Sequence, residues 1–151
     1  MKLAAAAACA VLAACDRAPT IDTCTDSLSG QWRDAEGRAW SILDQGARLE
    51  AYPAFPDNQL PPGADPTLEV APRVIDLQRA GAIITGAVHR RFMTEDKACD
   101  PAVRIRVLAC RARTLELELA EPPAPTSFTP CTLPATPPPV ATRWTWEAPL
   151  R

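Results

Sequence analysis

One histidine, His89, stands in the chain of 151 residues, and its isolation excludes a His-rich zinc site. None of the serines lies in a Gly-x-Ser-x-Gly elbow or beside a base, so a serine nucleophile has no local support. Glu95, Asp96 and Asp100 cluster in one stretch but lack the ligand spacing of a calcium loop. There is no basic stripe: 16 Lys and Arg stand against 18 Asp and Glu, and nucleic acid is not expected as a partner. No apolar run approaches the roughly 20 residues of a spanning helix. Beyond the N-terminus no stretch repeats its apolar residues at helical spacing. The expectation is an all-β, non-catalytic protein without a metal or other cofactor.

What is present is alternation, proline and cysteine. Short segments with period-two patterning fall at 30–33, 39–43, 47–52, 74–79, 82–92, 102–110, 115–119 and 143–147. The clearest is Leu115-Glu116-Leu117-Glu118-Leu119, which predicts Val107 against Leu117 inside and Arg106 against Glu118 outside. Turn residues at 34–37 make the first two segments a hairpin with Trp32 opposite Trp40. A turn at Ala80-Gly81 would pair Leu77 with Ile84 and Ile75 with Gly86. His89 falls on the outward face of its strand. The 17 prolines are clustered, six of them in a loop over 53–72 and eight in a loop over 121–141. Eight strands in sequence predict one small antiparallel up-and-down barrel, in which the last strand closes on the first. A two-sheet β-sandwich of the same strands is the alternative.

The N-terminus carries a different kind of signal. Met1-Lys2 and the uncharged residues 3–14 have the form of a secretory signal peptide. Leu12-Ala13-Ala14-Cys15 resembles the bacterial lipobox. That resemblance implies cleavage before Cys15, lipidation of its thiol and acylation of the new amine. It divides the chain into a signal at 1–14, a lipidated tether at 15–29 and a barrel domain at 30–151. The lipid bilayer becomes a partner through acylated Cys15, on the periplasmic or outer side of a bacterial membrane. Several acyl chains, at about 0.8 kcal/mol per buried methylene, make a stable anchor. Leu28-Ser29-Gly30-Gln31-Trp32, followed by Gly37, Trp40-Ser41-Ile42 and Gly46, looks like the first hairpin of calycin-type barrels. That likeness supports a barrel and implies binding or inhibition without naming a ligand.

Export leaves Cys24, Cys99, Cys110 and Cys131 in an oxidising setting, an even number that reads as two disulfides. The up-and-down order places Cys24 and Cys110 at one end of the barrel and Cys99 and Cys131 at the other. Cys99 and Cys110 bracket an extended strand and are too far apart to join. The expected bridges are therefore Cys24–Cys110 and Cys99–Cys131. The same order gathers loops 53–72, 93–101 and 121–141 at the end away from the tether and the short turns at the tether's end. Extending the inner faces of neighbouring strands brings Arg73 and Arg90 to that mouth, near Phe92 and Trp144. Two arginines there suit an anionic group on a small ligand or an envelope protein. The plain alternative is that they snorkel to solvent or pair with Glu69 or Asp57. The functional expectation is a membrane-anchored binding or inhibitory module. The alternative is an accessory subunit of an envelope complex with no pocket.

Overall fold

The computed structural model describes residues 21–55, 60 and 64–150; Cys15 and its lipobox lie outside them. Eight strands form a closed antiparallel barrel: β1 (Gly30–Arg33), β2 (Ala39–Asp44), β3 (Arg48–Pro53), β5 (Val74–Ala80), β6 (Ile83–His89), β9 (Ala102–Arg111), β10 (Thr114–Leu119) and β13 (Val140–Ala148). Each pairs with its neighbour in the chain, and β13 closes on β1. Five short strands lie in the long loops. β4 (Glu69–Val70), β7 (Phe92–Met93) and β8 (Ala98–Cys99) make a small sheet, and β11 (Ser127–Phe128) pairs with β12 (Cys131–Thr132). No helix occurs among the described residues.

The inner face follows the alternation. Trp32, Ile42, Leu49, Ile75, Ile84, Ile105, Leu115 and Leu117 are buried to 2 % exposure or less. Many of their outward neighbours are charged or polar, such as Arg33, Glu50, Asp76, Arg104 and Glu116, although Leu43 and Ile83 are apolar and exposed. Arg106 pairs with Glu118 across β9 and β10, in the expected register. Trp32 opposes Trp40, and both lie in the core with Trp144 and Trp146.

Two departures from the expected strands have clear causes. The β5–β6 turn falls at Gly81-Ala82, where Gly81 takes a positive φ of 62°, so Leu77 faces Gly86 and Ile75 faces Val88. The shift is two residues, which leaves every side chain on its intended face. The fifth barrel strand stops at His89 rather than running to 92. There the Arg90 N–H donates to Pro101 O and the Ala71 N–H to Arg91 O, and Phe92 pairs with Val70 and Cys99 instead. The chain thus leaves the wall and folds over the mouth.

A bulge in β9 matters for the disulfides. Glu116 faces Ala109 and Leu117 faces Val107, so Leu108 is the extra residue and is exposed. One inserted residue reverses the phase. Cys110, which strict alternation would turn outward, is buried instead and meets Cys24 at a Cα–Cα distance of 5.0 Å. Cys99 joins Cys131 at the opposite end, Cα–Cα 5.6 Å. Both bridges are the expected ones.

Gly86 marks the tightest approach in the wall. A Cβ built there would overlap the carbonyl oxygen of Asp76 and lie 2.9 Å from the Leu77 Cα, both backbone atoms of the paired strand. Gly86→Ala should therefore destabilise by at least about 2 kcal/mol, since backbone rather than a rotamer must yield. Urea unfolding would show a lower midpoint with an unchanged m-value. A midpoint equal to that of wild type would refute the close approach.

Candidate functional site: the loop end of the barrel

Strand direction gives the barrel two unlike ends. At one end are the turns at 45–47, 81–82 and 112–113 and the segment 21–29. At the other are the described parts of the connections from β3 to β5, β6 to β9 and β10 to β13, together with the turn at 34–38, which was expected with the other short turns at the tether's end.

The first end is closed from within. Residues 21–29, read from sequence as tether, lie across it: Ile21 and Leu28 have no exposed surface and belong to the core. Leu28 O accepts the Trp32 Nε1–H at 2.9 Å, and the Arg113 N–H donates to Ile21 O. Asp44 and Arg79, one position past the apolar inner residues of their strands, form an ion pair at 2.7 Å with side chains 2 % and 11 % exposed. Asp44 also accepts the backbone N–H groups of Leu28 and Gly46. Arg113 stacks over the Trp146 ring, 4.0 Å from its centroid.

The loop end extends the same inner faces by one step. Arg73 follows Ile75 outward, Arg90 follows Val88, and Asp34 follows Trp32; all three are buried. Neither arginine snorkels to solvent: they are only 5 % and 4 % exposed. Among the described residues both bind Glu121: Arg73 Nη1 donates to Oε2 at 2.8 Å, and Arg90 Nη1 donates to Oε1. Each guanidinium also lies against an aromatic ring. Arg73 is 5.4 Å from the Trp40 centroid, and Arg90 is 6.0 Å from that of Phe92. Trp40 in turn stacks on Trp144, centroids 4.8 Å apart. The four residues expected at the mouth are therefore together there. Glu121 was not expected. It opens a proline loop with no periodic partner, and only the closed topology brings it to the arginines.

Asp34 fixes the aromatic wall. Its carboxylate accepts the Trp40 Nε1–H at 3.0 Å, the Arg38 Nε–H at 2.7 Å and the Arg38 backbone N–H at 2.8 Å. Burial alone would raise its pKa, but the bonds from Trp40 and Arg38 outweigh burial and hold it below the usual aspartate range. A depressed folded pKa gives stability that is present above the unfolded value, about 3.9, and lost as pH falls through the folded one. Asp34→Asn should thus lower the urea midpoint at neutral pH and flatten its decline in acid. An acid limb as steep as that of wild type would remove Asp34 from this role.

Between these walls lies a cavity of about 100 Å³, bounded by Trp40, Trp144, Arg73, Ile75, Val88 and Leu119, with Thr142 at one side. The Thr142 Oγ1 is buried and has no hydrogen-bond partner. A second, open groove runs past Glu121, Pro122, Pro123, Phe128 and Pro134. His89, as expected, faces outward, 43 % exposed with Asp76 at 3.6 Å. No cluster of His, Cys, Asp and Glu with the makings of a metal site occurs among the described residues. Comparison with known protein families, curated proteins and solved structures finds no match to this chain.

Proposed function

We propose that this chain is a lipid-anchored protein of the bacterial cell envelope that acts, without catalysis, as a binding or inhibitory module. The reading rests first on the lipobox-like Leu12-Ala13-Ala14-Cys15. It is supported by the polarity of the barrel: the N-terminal segment enters at the plugged end, and three long loops with their buried arginines gather at the other. A rigid closed wall that presents its irregular segments on one side is suited to recognition. The calycin-like opening, Gly30-Gln31-Trp32, points the same way. The contact would be an envelope protein or an anionic small ligand at the loop end. An accessory subunit without a pocket is the second reading, and the dense filling of the barrel by Trp32, Trp40, Trp144 and Trp146 favours it.

Two measurements test this. Cys15→Ser should release the protein from membranes or leave it uncleaved, and a mutant that floats with membranes at the mature mass refutes the anchor. A photo-crosslinking residue at exposed Phe55, on the loop side, should trap a partner in cells, whereas one at exposed Ile83, at the plugged end, should not. Adducts from position 83 alone would reverse the assignment.

A further inference from the structure

We infer that the cavity behind Arg73 is a site for a carboxylate carried on a short apolar body, and that Glu121 is its resident stand-in. The inference rests on reading the loop end as the binding face. Two observations carry it. The first is the state of the arginines. Both guanidiniums are buried, and each is held against a ring, so their positions are set before any anion arrives. Each carboxylate oxygen of Glu121 takes one of them, which is how a free carboxylate would be gripped. Glu121 is the exposed member of the trio, with 35 % of its side chain open, and it belongs to a loop rather than to the wall.

The second is position. Arg73 lines the cavity and Glu121 lines the groove, so their ion pair stands where the two approach each other. A carboxylate entering from the groove meets Arg73 at the point where Glu121 now stands. Its apolar end then has Ile75, Val88 and Leu119 as a floor, and the stacked Trp40 and Trp144 as a wall. A volume of about 100 Å³ is that of roughly three water molecules in the liquid, which fits a body the size of a branched aliphatic side chain.

Asp34 and Glu36 also border the cavity; both are bonded to Arg38, which offsets one of their two charges.

Such a carboxylate has two sources: a free short-chain acid, or the C-terminus of a partner ending in an apolar residue. Purified full-length protein is titrated with 3-methylbutanoate and followed by tryptophan fluorescence and calorimetry. Saturable binding is expected, with none by 3-methylbutanamide, which has the same shape and no charge. Acetate lacks three of the carbons and should bind on the order of 50-fold more weakly. Glu121→Gln removes the internal competitor and should tighten the apparent Kd about 10-fold.

An octapeptide ending in leucine, compared with its amidated form, separates the sources. Tighter binding by the free-ended peptide than by the free acid assigns the site to a partner's terminus. Tighter binding by the acid assigns it to a small molecule. Equal binding of amide and acid overturns the inference. So does the absence of a saturable signal from either probe with wild-type protein. Photo-crosslinks from position 55 without carboxylate binding overturn this inference and leave the binding module standing. Carboxylate binding without crosslinks supports the inference and overturns a protein partner.

Discussion

Replacing Cys24 and Cys110 together with serine should lower the stability of the barrel by about 4–5 kcal/mol. The bridge closes a loop of 86 residues. In the chain-entropy description a loop of that length restrains the unfolded ensemble by an amount close to the top of the usual range. The folded side adds to this, because the bridge ties segment 21–29 over the open end of the barrel, where Ile21 and Leu28 complete the core. Urea unfolding at equal protein concentration checks the value. The double mutant should also lose protection of the Trp32 indole N–H, whose acceptor is Leu28 O. A loss below about 1 kcal/mol would mean that the segment holds its place without the bridge, and that the stabilisation lies elsewhere.

The second large effect is expected from Asp44→Ala. This carboxylate takes Arg79 Nη1 on one oxygen at 3.0 Å and Arg79 Nη2 on the other at 2.7 Å, and it also accepts the N–H groups of Leu28 and Gly46. Removing it strands an arginine that is 11 % exposed and breaks the link to the plug segment. Breaking such a pair from one side costs about 3–5 kcal/mol. Asp44→Ala combined with Arg79→Met should be milder than Asp44→Ala alone, because no uncompensated charge remains. If the two single mutants and the double mutant add without coupling, the pair is not an energetic unit. Both large predictions bear on segment 21–29, so Asp44→Ala and the cysteine double mutant should also combine less than additively.

The fold was legible where a physical period was strong. Leu115, Leu117 and Leu119 alternate without interruption, and their strand has the predicted register at Arg106–Glu118. The cysteine pairing followed from strand direction alone, since ends of the same sense must meet. What escaped the sequence was structure with no period. Ile21 and Leu28 stand singly among Asp22, Thr23, Thr25 and Asp26, so nothing local marked them as core, yet in the closed barrel both are fully buried in it. The bulge at Leu108 looks like plain continuation of an apolar strand, and only its paired register reveals the extra residue. At the mouth, Arg73 and Arg90 were found by carrying an inner face past its last apolar residue. Glu121 was missed because its role depends on the distance between two ends of a closed sheet, which no local pattern encodes.

The bond between Cys24 and Cys110 also decides how the protein would bear a mechanical load. β1 has only four residues and would be the first strand drawn on by a pull through the N-terminal segment. Its hydrogen bonds could then open one after another. The covalent bridge diverts the load before it reaches β1. Tension entering at residue 24 crosses into β9, ten residues long and held between β6 and β10 on the far side of β13. Two full ladders must then slip together, so the barrel resists traction from its N-terminal side as a block and not as a zipper.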